Sequence, residues 1–336
     1  MIIKKAILKE EKDKVASFLN NFDLKYDKDI VETLYLENND KIIATISRSD
    51  YIIKGLAVDE DYQGLNLASK LVTEIINSLA LDKKYYYQVF TKTNYIPIFS
   101  SMGFKEIVKT SKVAILEGGN KGINDELLST KKQIEFKFNL NLSDFNIASI
   151  VVNCNPITNG HLQLIEDASS KHDYLIVFVV EEDESYFTFK ERFALVYLAV
   201  GHLTNTIVMP STKYIISNLT FPSYFLKTMD EKEEEHALLD ALIFDKYFMP
   251  ILNLKKRYVG TETDAFMIRY NNILKNVLGE RLEIIPRFKH NDQIISASLV
   301  RKYIKENKIA EALELVPNAT KMLLMAMINE KYQLSH

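Results

Sequence analysis

The chain has 336 residues and a net charge of −3, with 47% hydrophobic and 26% charged residues. That length exceeds the usual single domain and that balance belongs to a folded protein, so two compact domains are expected and a fibre or a disordered chain is excluded. The charge lacks the basic footprint of a nucleic-acid binder, no apolar run is long enough to span a bilayer, and the single cysteine, Cys154, precludes an internal disulfide.

The opening Met-Ile-Ile-Lys-Lys has no long apolar core of the secretory kind, so a reducing, cytoplasmic setting is expected, with neither nucleic acid nor membrane as a partner. Residues 4–8 read as a strand and 11–22 as a helix. Residues 32–37 and 41–48 form a hairpin about Asn38-Asn39-Asp40, residue types that suit a tight turn. A strand over 51–58 leads through a loop at 59–65 into an amphipathic helix ending near 79, and 85–90 is another strand. Gly118-Gly119-Asn120-Lys121-Gly122 breaks regular structure and 125–132 is a polar, helix-prone connector. The domain boundary is therefore placed there, giving 1–132, with its connector from about 117, and 133–336. Beyond it, short apolar runs at 147–152, 174–180, 206–209, 257–259 and 282–285 alternate with helical patterns at spacings suited to right-handed crossovers. The second half thus reads as an open parallel sheet with helices on both faces. The acidic run 230–235 reads as a solvated helix face.

The first strand of this half ends in Asn153-Cys154-Asn155-Pro156-Ile157-Thr158-Asn159-Gly160-His161, and a helix follows. In open parallel sheets, ligands bind beyond the carboxyl ends of the strands, where helix N-termini offer unpaired N–H groups to anions. Gly160 lets a phosphate approach the backbone, and His161 can donate to developing phosphoryl charge. The plainer alternative is that Thr158 caps the helix and His161 satisfies a nearby carbonyl. Late in the same half, Ile295-Ser296-Ala297-Ser298-Leu299-Val300-Arg301 opens another helix. Ser296 and Ser298 stand where N-caps stand, and Arg301 supplies a cationic fork for outer phosphates; a good cap with a surface arginine is the alternative there.

Thr-x-Gly-His near the start and Ile-Ser-x-Ser-x-x-Arg near the end of one parallel-sheet domain resemble the nucleotidyltransferase superfamily. The likeness narrows with the stretch from Lys213 to Lys227, with Arg257-Tyr258-Val259-Gly260-Thr261-Glu262, Tyr270-Asn271 and Ile285-Pro286-Arg287, which are similar to citrate lyase ligases over nearly all of 147–305. The resemblance implies that acetate and ATP, with Mg²⁺ on the phosphates, give acetyl-adenylate. The thiol of a CoA-like prosthetic group on the acyl carrier subunit of citrate lyase then takes the acetyl group. It also implies that Thr158 and His161 act on the α-phosphate, that Ser296, Ser298 and Arg301 hold the pyrophosphate side, that Asn155, Pro156 and Gly160 line the ATP site, and that Gly260 shapes its adenine and ribose end. No protein side chain is assigned to a metal. Arg192, in Phe189-Lys190-Glu191-Arg192, is a candidate phosphate or carboxylate clamp, with a helix-surface arginine as the alternative. The Phe221–Phe225 segment is either a wall for a small acetate pocket or core. Two rival readings stay open: an adenylyltransferase acting on a phosphorylated small molecule, of the phosphopantetheine or nicotinamide mononucleotide type, and an inactive carrier-binding scaffold.

In the first half, Gln63-Gly64-Leu65-Asn66-Leu67-Ala68 lies between a strand and a helix and resembles the pyrophosphate loop of GNAT-type acetyltransferases, with Asn66 where glycine is usual. The fold expected is therefore α/β overall, a GNAT-like α+β domain followed by a Rossmann-like nucleotidyltransferase domain. By this likeness the loop carrying Gln63, Gly64, Asn66 and Ala68 would grip a CoA-type pyrophosphate; the arm of the carrier subunit, which contains the same group, is the ligand expected here, and a fold retained for stability or docking is the alternative.

Overall fold

The structure is a computed structural model that describes residues 1–215, 221, 226, 228–286, 289–290 and 293–334. Arg287 and, of the segment weighed as an acetate pocket wall, residues 222–225 lie outside the described residues. The chain divides into two compact units, one of Met1–Asp125 with Pro222–Glu235 and one of Glu126–Phe221 with His236–His336.

In the first unit, β1 (Lys4–Lys5), β2 (Glu32–Asn38), β3 (Lys41–Arg48), β4 (Ile52–Val58), β5 (Tyr86–Lys92), β6 (Lys105–Lys109) and β7 (Val113–Gly119) form one sheet in the order β1-β2-β3-β4-β5-β7-β6. Its helices are α1 (Lys9–Asn20), α2 (Leu67–Leu81) and α3 (Ile96–Ser101). The expected first strand is cut short because Glu11 accepts from the N–H groups of Ile7 and Leu8 at 2.7 and 2.8 Å, which starts α1 at Lys9. Leu67, Leu71, Ile75 and Leu79 recur along one face of α2 and are buried against the sheet with Ile46 and Leu116; each such side chain contributes about 1.5–3 kcal/mol. Only β4 and β5 pair in parallel, at Ile52↔Gln88 and Ile53↔Val89, and from there the two strands part although they run on to Val58 and Lys92. The glycines expected to interrupt structure end strand β7 instead. A side chain on Gly119, at φ +101°, would meet the Tyr85 carbonyl oxygen at 2.1 Å, so the strand approaches β5 more closely than any other residue allows.

The expected connector is helical, α4 (Ile123–Phe138). The second unit then runs β8 (Ile147–Val152), α5 (Asn159–Ser169), β9 (Tyr174–Val179), α6 (Phe189–Ala199) and β10 (Thr206–Pro210). Helix α7 (Met229–Ile243) follows, passing through a π-helical turn at Phe244–Phe248 into α8 (Met249–Ile251). After it come β11 (Leu254–Gly260), α9 (Ala265–Leu278), β12 (Leu282–Ile285), the short strands β13 (Lys289–His290) and β14 (Gln293–Ile294), and helices α10 (Ala297–Lys305), α11 (Ile309–Glu314) and α12 (Lys321–Leu334). The sheet is parallel in the order β10-β9-β8-β11-β12, as the apolar runs require. One face buries Ile150, Val152, Val177, Val179 and Tyr258 in a core with Ile165, Val196, Val300 and Leu324. On the other, Phe178 packs edge-on against Phe248 at 5.7 Å. The solvated face expected over 230–235 holds for Asp230 and Glu234, but Glu235 is buried, accepts from the Thr110 hydroxyl, and has its pKa raised chiefly by that burial. Among the described residues, no helix is long and apolar enough to cross a membrane.

Candidate active site

The chain leaves β8 for β9 and β10 on one side and later returns to β11 on the other, so the sheet reverses its direction of winding between β8 and β11. A crevice forms at such a reversal. Strands β8 and β9 pair up to Val152↔Val179, whereas β8 and β11 last pair at Ile150↔Tyr258, two residues short of the ends of both. The crevice thus opens between Val152 and Gly260.

Helix α5 begins at this rim. Thr158, fully buried and extended at φ −120° and ψ 166°, caps it, its Oγ1 accepting from the His161 N–H at 3.4 Å. His161 reaches back: its Nδ1 accepts from the Thr158 N–H at 3.1 Å and lies 2.9 Å from Thr158 Oγ1. A ring nitrogen facing an N–H is an acceptor, so the neutral imidazole carries its proton on Nε2 and is a donor there. The capping reading and the donor reading of these two residues are therefore compatible, because the cap is what orients the ring.

Helix α10 begins beside it. Ser296 caps α10 by accepting from the Leu299 N–H at 3.2 Å. A Cβ placed on Gly160 would lie 3.6 Å from the Ile295 carbonyl oxygen, an ordinary contact, so the two helix starts are neighbours and packing within the protein does not itself demand glycine there. Arg301 crosses between them: Nη1 donates to the Asn155 carbonyl oxygen at 2.5 Å and Nη2 to Ser298 Oγ at 3.1 Å. Asn155 is fixed from the other side too, its Oδ1 accepting from the Phe187 N–H at 3.0 Å, and Pro156 is buried next to it. Thr158, Gly160, His161, Ser296, Ser298, Arg301, Asn155 and Pro156 therefore gather at one rim. Two helix starts, hydroxyls, an imidazole donor and a guanidinium together suit a polyphosphate. Gly260 ends β11 on the far side of the crevice, its carbonyl oxygen accepting from Asn271 Nδ2 at 2.9 Å.

Arg192 is placed differently from its sequence-based assignment as a clamp. It is fully buried, with Nε donating to the Phe187 carbonyl at 3.1 Å, Nη1 to those of Asn153 at 2.9 Å and Val180 at 3.0 Å, and Nη2 to that of Glu182. The Glu182 carboxylate lies 3.7 Å from Nη2. Burial lowers the arginine pKa while Glu182 opposes that change. Its donors are committed to backbone, so Arg192 ties the ends of β8 and β9 to the loop before α6 and bears on the rim through Asn153. Glu182, which sequence reasoning missed, belongs to the same knot, accepting from the Ser185 hydroxyl and from the Glu184 N–H at 2.9 Å. In the sequence it is one of several adjacent acids, and nothing local distinguishes it. Cys154, buried in the loop with φ +48°, has its thiol pKa pushed up by burial, which makes it inert packing.

In the first unit, the parting of β4 and β5 leaves a cavity of about 670 Å³ whose lining includes Gln63, Gly64, Asn66 and Ala68. Gly64 and Asn66 have φ of +80° and +59°, so asparagine adopts the left-handed conformation that glycine adopts more readily. Helix α2 starts at Asn66 without a side-chain cap, leaving the N–H groups of its first turn for another acceptor. Among the described residues, no group of three or more His, Cys, Asp or Glu side chains could hold a metal ion.

The citrate lyase ligase C-terminal domain matches residues 147–324, and the acetyltransferase (GNAT) domain matches 30–106. A [citrate [pro-3S]-lyase] ligase of Haemophilus influenzae is 31% identical over 91% of this chain and 92% of its own length. That of Escherichia coli is 30% identical over 95% of this chain and 92% of its own. Among solved structures, a GNAT-family acetyltransferase from Staphylococcus aureus is 18% identical, with 36% of this chain spanning all of it at a TM-score of 0.31. With more than half of the chain inside the ligase domain and relatives matched along nearly their whole length, the chain is an enzyme that belongs to the citrate lyase ligase family.

Proposed function

We propose that residues 133–336 use ATP to activate acetate and that the acetyl group passes to the thiol of the CoA-like prosthetic group on the acyl carrier subunit of citrate lyase, in the cytoplasm. An acetate oxygen attacks the α-phosphorus in line, the bond to the bridging oxygen breaks, and pyrophosphate leaves. The thiol then attacks the acetyl carbon of acetyl-adenylate, its proton is lost, and AMP leaves. No covalent bond to the protein forms, so positioning and charge stabilisation carry the rate. The observation that carries this reading is the adjacency of the α5 and α10 starts with Arg301 bridging them. His161 is oriented to donate from Nε2 to the α-phosphate, and Ser296, Ser298 and Arg301 take the departing pyrophosphate. Mg²⁺ bound to the nucleotide would supply neutralisation of the phosphate charge, with no protein side chain assigned to it. Pyrophosphate release with ATP, Mg²⁺ and a panel of short carboxylates tests it. Acetate gives the fastest release, and AMP accumulates once the carrier thiol is added. A dinucleotide product from a phosphorylated acceptor, with no AMP, would instead favour an adenylyltransferase.

Residues 1–132 are proposed to hold the carrier's CoA-like arm, on the strength of the cavity between β4 and β5 and the uncapped start of α2 that lines it. Calorimetry of the full chain with dephospho-CoA should give measurable heat. Gly64→Val, which forces a β-branched residue to φ +80° with nothing within 4 Å of its Cβ, should abolish that heat without a packing clash. No heat from the unaltered chain at millimolar ligand would remove the arm from this unit.

A further inference from the structure

Arg257, Tyr270 and Asn271 carry part of the family resemblance, yet the chemistry just described gives them no role. On α7 and the turn that continues it, His236, Asp240 and Phe244 recur every fourth position, share a face, and are all buried. That face meets β11 and α9. Arg257 Nη1 donates to Asp240 Oδ2 at 3.0 Å, the Tyr270 hydroxyl donates to the same oxygen at 2.6 Å, and Arg257 Nη2 donates to the Tyr270 hydroxyl at 3.2 Å. The guanidinium lies 4.3 Å from the centre of the Phe244 ring, and the His236 ring stacks on Tyr270 at 6.0 Å. Asp240 and Arg257 are each 2% exposed, which makes this a buried ion pair.

Such a pair is a poor source of stability, since apolar residues of similar volume commonly serve as well or better. What it fixes is register, and the register here belongs to a loop at the crevice. Asn271, next to Tyr270 on α9, holds the Gly260 carbonyl at 2.9 Å, while the Thr261 N–H donates to the Ile285 carbonyl at 2.8 Å. Asp264 caps α9 by accepting from the Met267 N–H at 3.1 Å. Residues 261–264 are thereby tied at both ends to elements that the buried pair locks together.

We infer that Asp240, Arg257 and Tyr270, acting with Asn271, are positioning residues that set the loop 261–264, which follows β11 across the crevice from the two helix starts, for the nucleoside end of an ATP whose phosphates those starts hold. The inference rests on the proposal that ATP binds at the β8/β11 crevice. Two variants of the full chain test it, each followed by calorimetric affinity for a nonhydrolysable ATP analogue, thermal midpoint, and kcat and KM for ATP. Tyr270→Phe removes only the hydroxyl. Asp240→Leu with Arg257→Met and Tyr270→Phe replaces the whole cluster by apolar side chains, leaves no hydroxyl without a partner, and is expected to keep or raise the midpoint. Both should weaken analogue affinity by about tenfold or more, as misplacement of a binding group does, with KM rising and kcat at saturating ATP little changed. Unchanged affinity in Tyr270→Phe, or a loss that merely follows a fall in the midpoint, overturns the inference while the proposed function stands. An unaltered chain that does not bind the analogue overturns the proposed function, and the inference with it.

Discussion

Replacing His161 by alanine lowers pyrophosphate release with ATP and acetate by about two to three orders of magnitude, the loss expected for one well-placed donor to a charge-developing oxygen. Two effects combine in that variant. The Thr158 N–H loses its acceptor, which weakens the start of α5 by about 1 kcal/mol, and the Nε2 donor disappears from the rim. His161→Gln separates them. A glutamine at the third helical position reaches back to the cap residue's N–H as the imidazole does, so it restores the thermal midpoint; its second polar atom is not held where Nε2 is, so turnover recovers only in part. Equal turnover in His161→Ala and the unaltered enzyme would take the histidine out of the mechanism. Full recovery in His161→Gln would reduce it to a cap.

How much of this was legible in the sequence follows from which interactions are local. Parallel strands buried on both faces are continuous apolar runs, so β8 and β9 stand out from residue type alone, and the capped starts of α5 and α10 are marked by Thr158 and Ser296. The turn at Asn39 and Asp40, at φ +48° and +61°, is legible for the same reason. Three other features are not local. Gly118 and Gly119 look like a break in the sequence, and only the approach of Tyr85, just before β5, and of Tyr87 within it makes them strand residues. Asp240 follows an acidic run that reads as solvated, and its burial depends on Arg257, which lies 17 positions away. The grouping of residues 228–235 with the first unit is a property of packing between distant segments, which no periodicity encodes. Arg192 is the sharpest case, because an arginine in the first turns of a helix signals charge at a rim, and the pattern holds no trace of the carbonyls that converge on it.

That convergence makes Arg192→Met the substitution with the largest expected effect on stability. Methionine fills much of the volume but leaves the carbonyls of Asn153, Val180, Glu182 and Phe187 without their donor and the buried Glu182 carboxylate without its counter-charge. Breaking a buried charge contact in this way costs about 3–5 kcal/mol, a large part of the stability of an ordinary domain. Arg192→Lys keeps the charge but not the planar fork, and a single ammonium cannot serve acceptors on both sides of the guanidinium, so it recovers only part of that loss. The loosening has a place as well as a size: hydrogen exchange should quicken at the backbone amides of 153–158 and 180–187, while those of α2 and β3 in the first unit keep their protection. Removing Glu182 as well, in Arg192→Met with Glu182→Leu, should restore several-fold slower exchange, because no unpaired charge is then buried. If Arg192 instead gripped phosphate directly, as its residue type first suggests, Arg192→Met would weaken ATP affinity and leave the thermal midpoint and the exchange of both loops unchanged. The bonding of all three buried guanidinium nitrogens to main-chain carbonyls argues for the opposite pattern, in which the fold at the rim fails first and turnover falls because Asn155 no longer holds Arg301 in register.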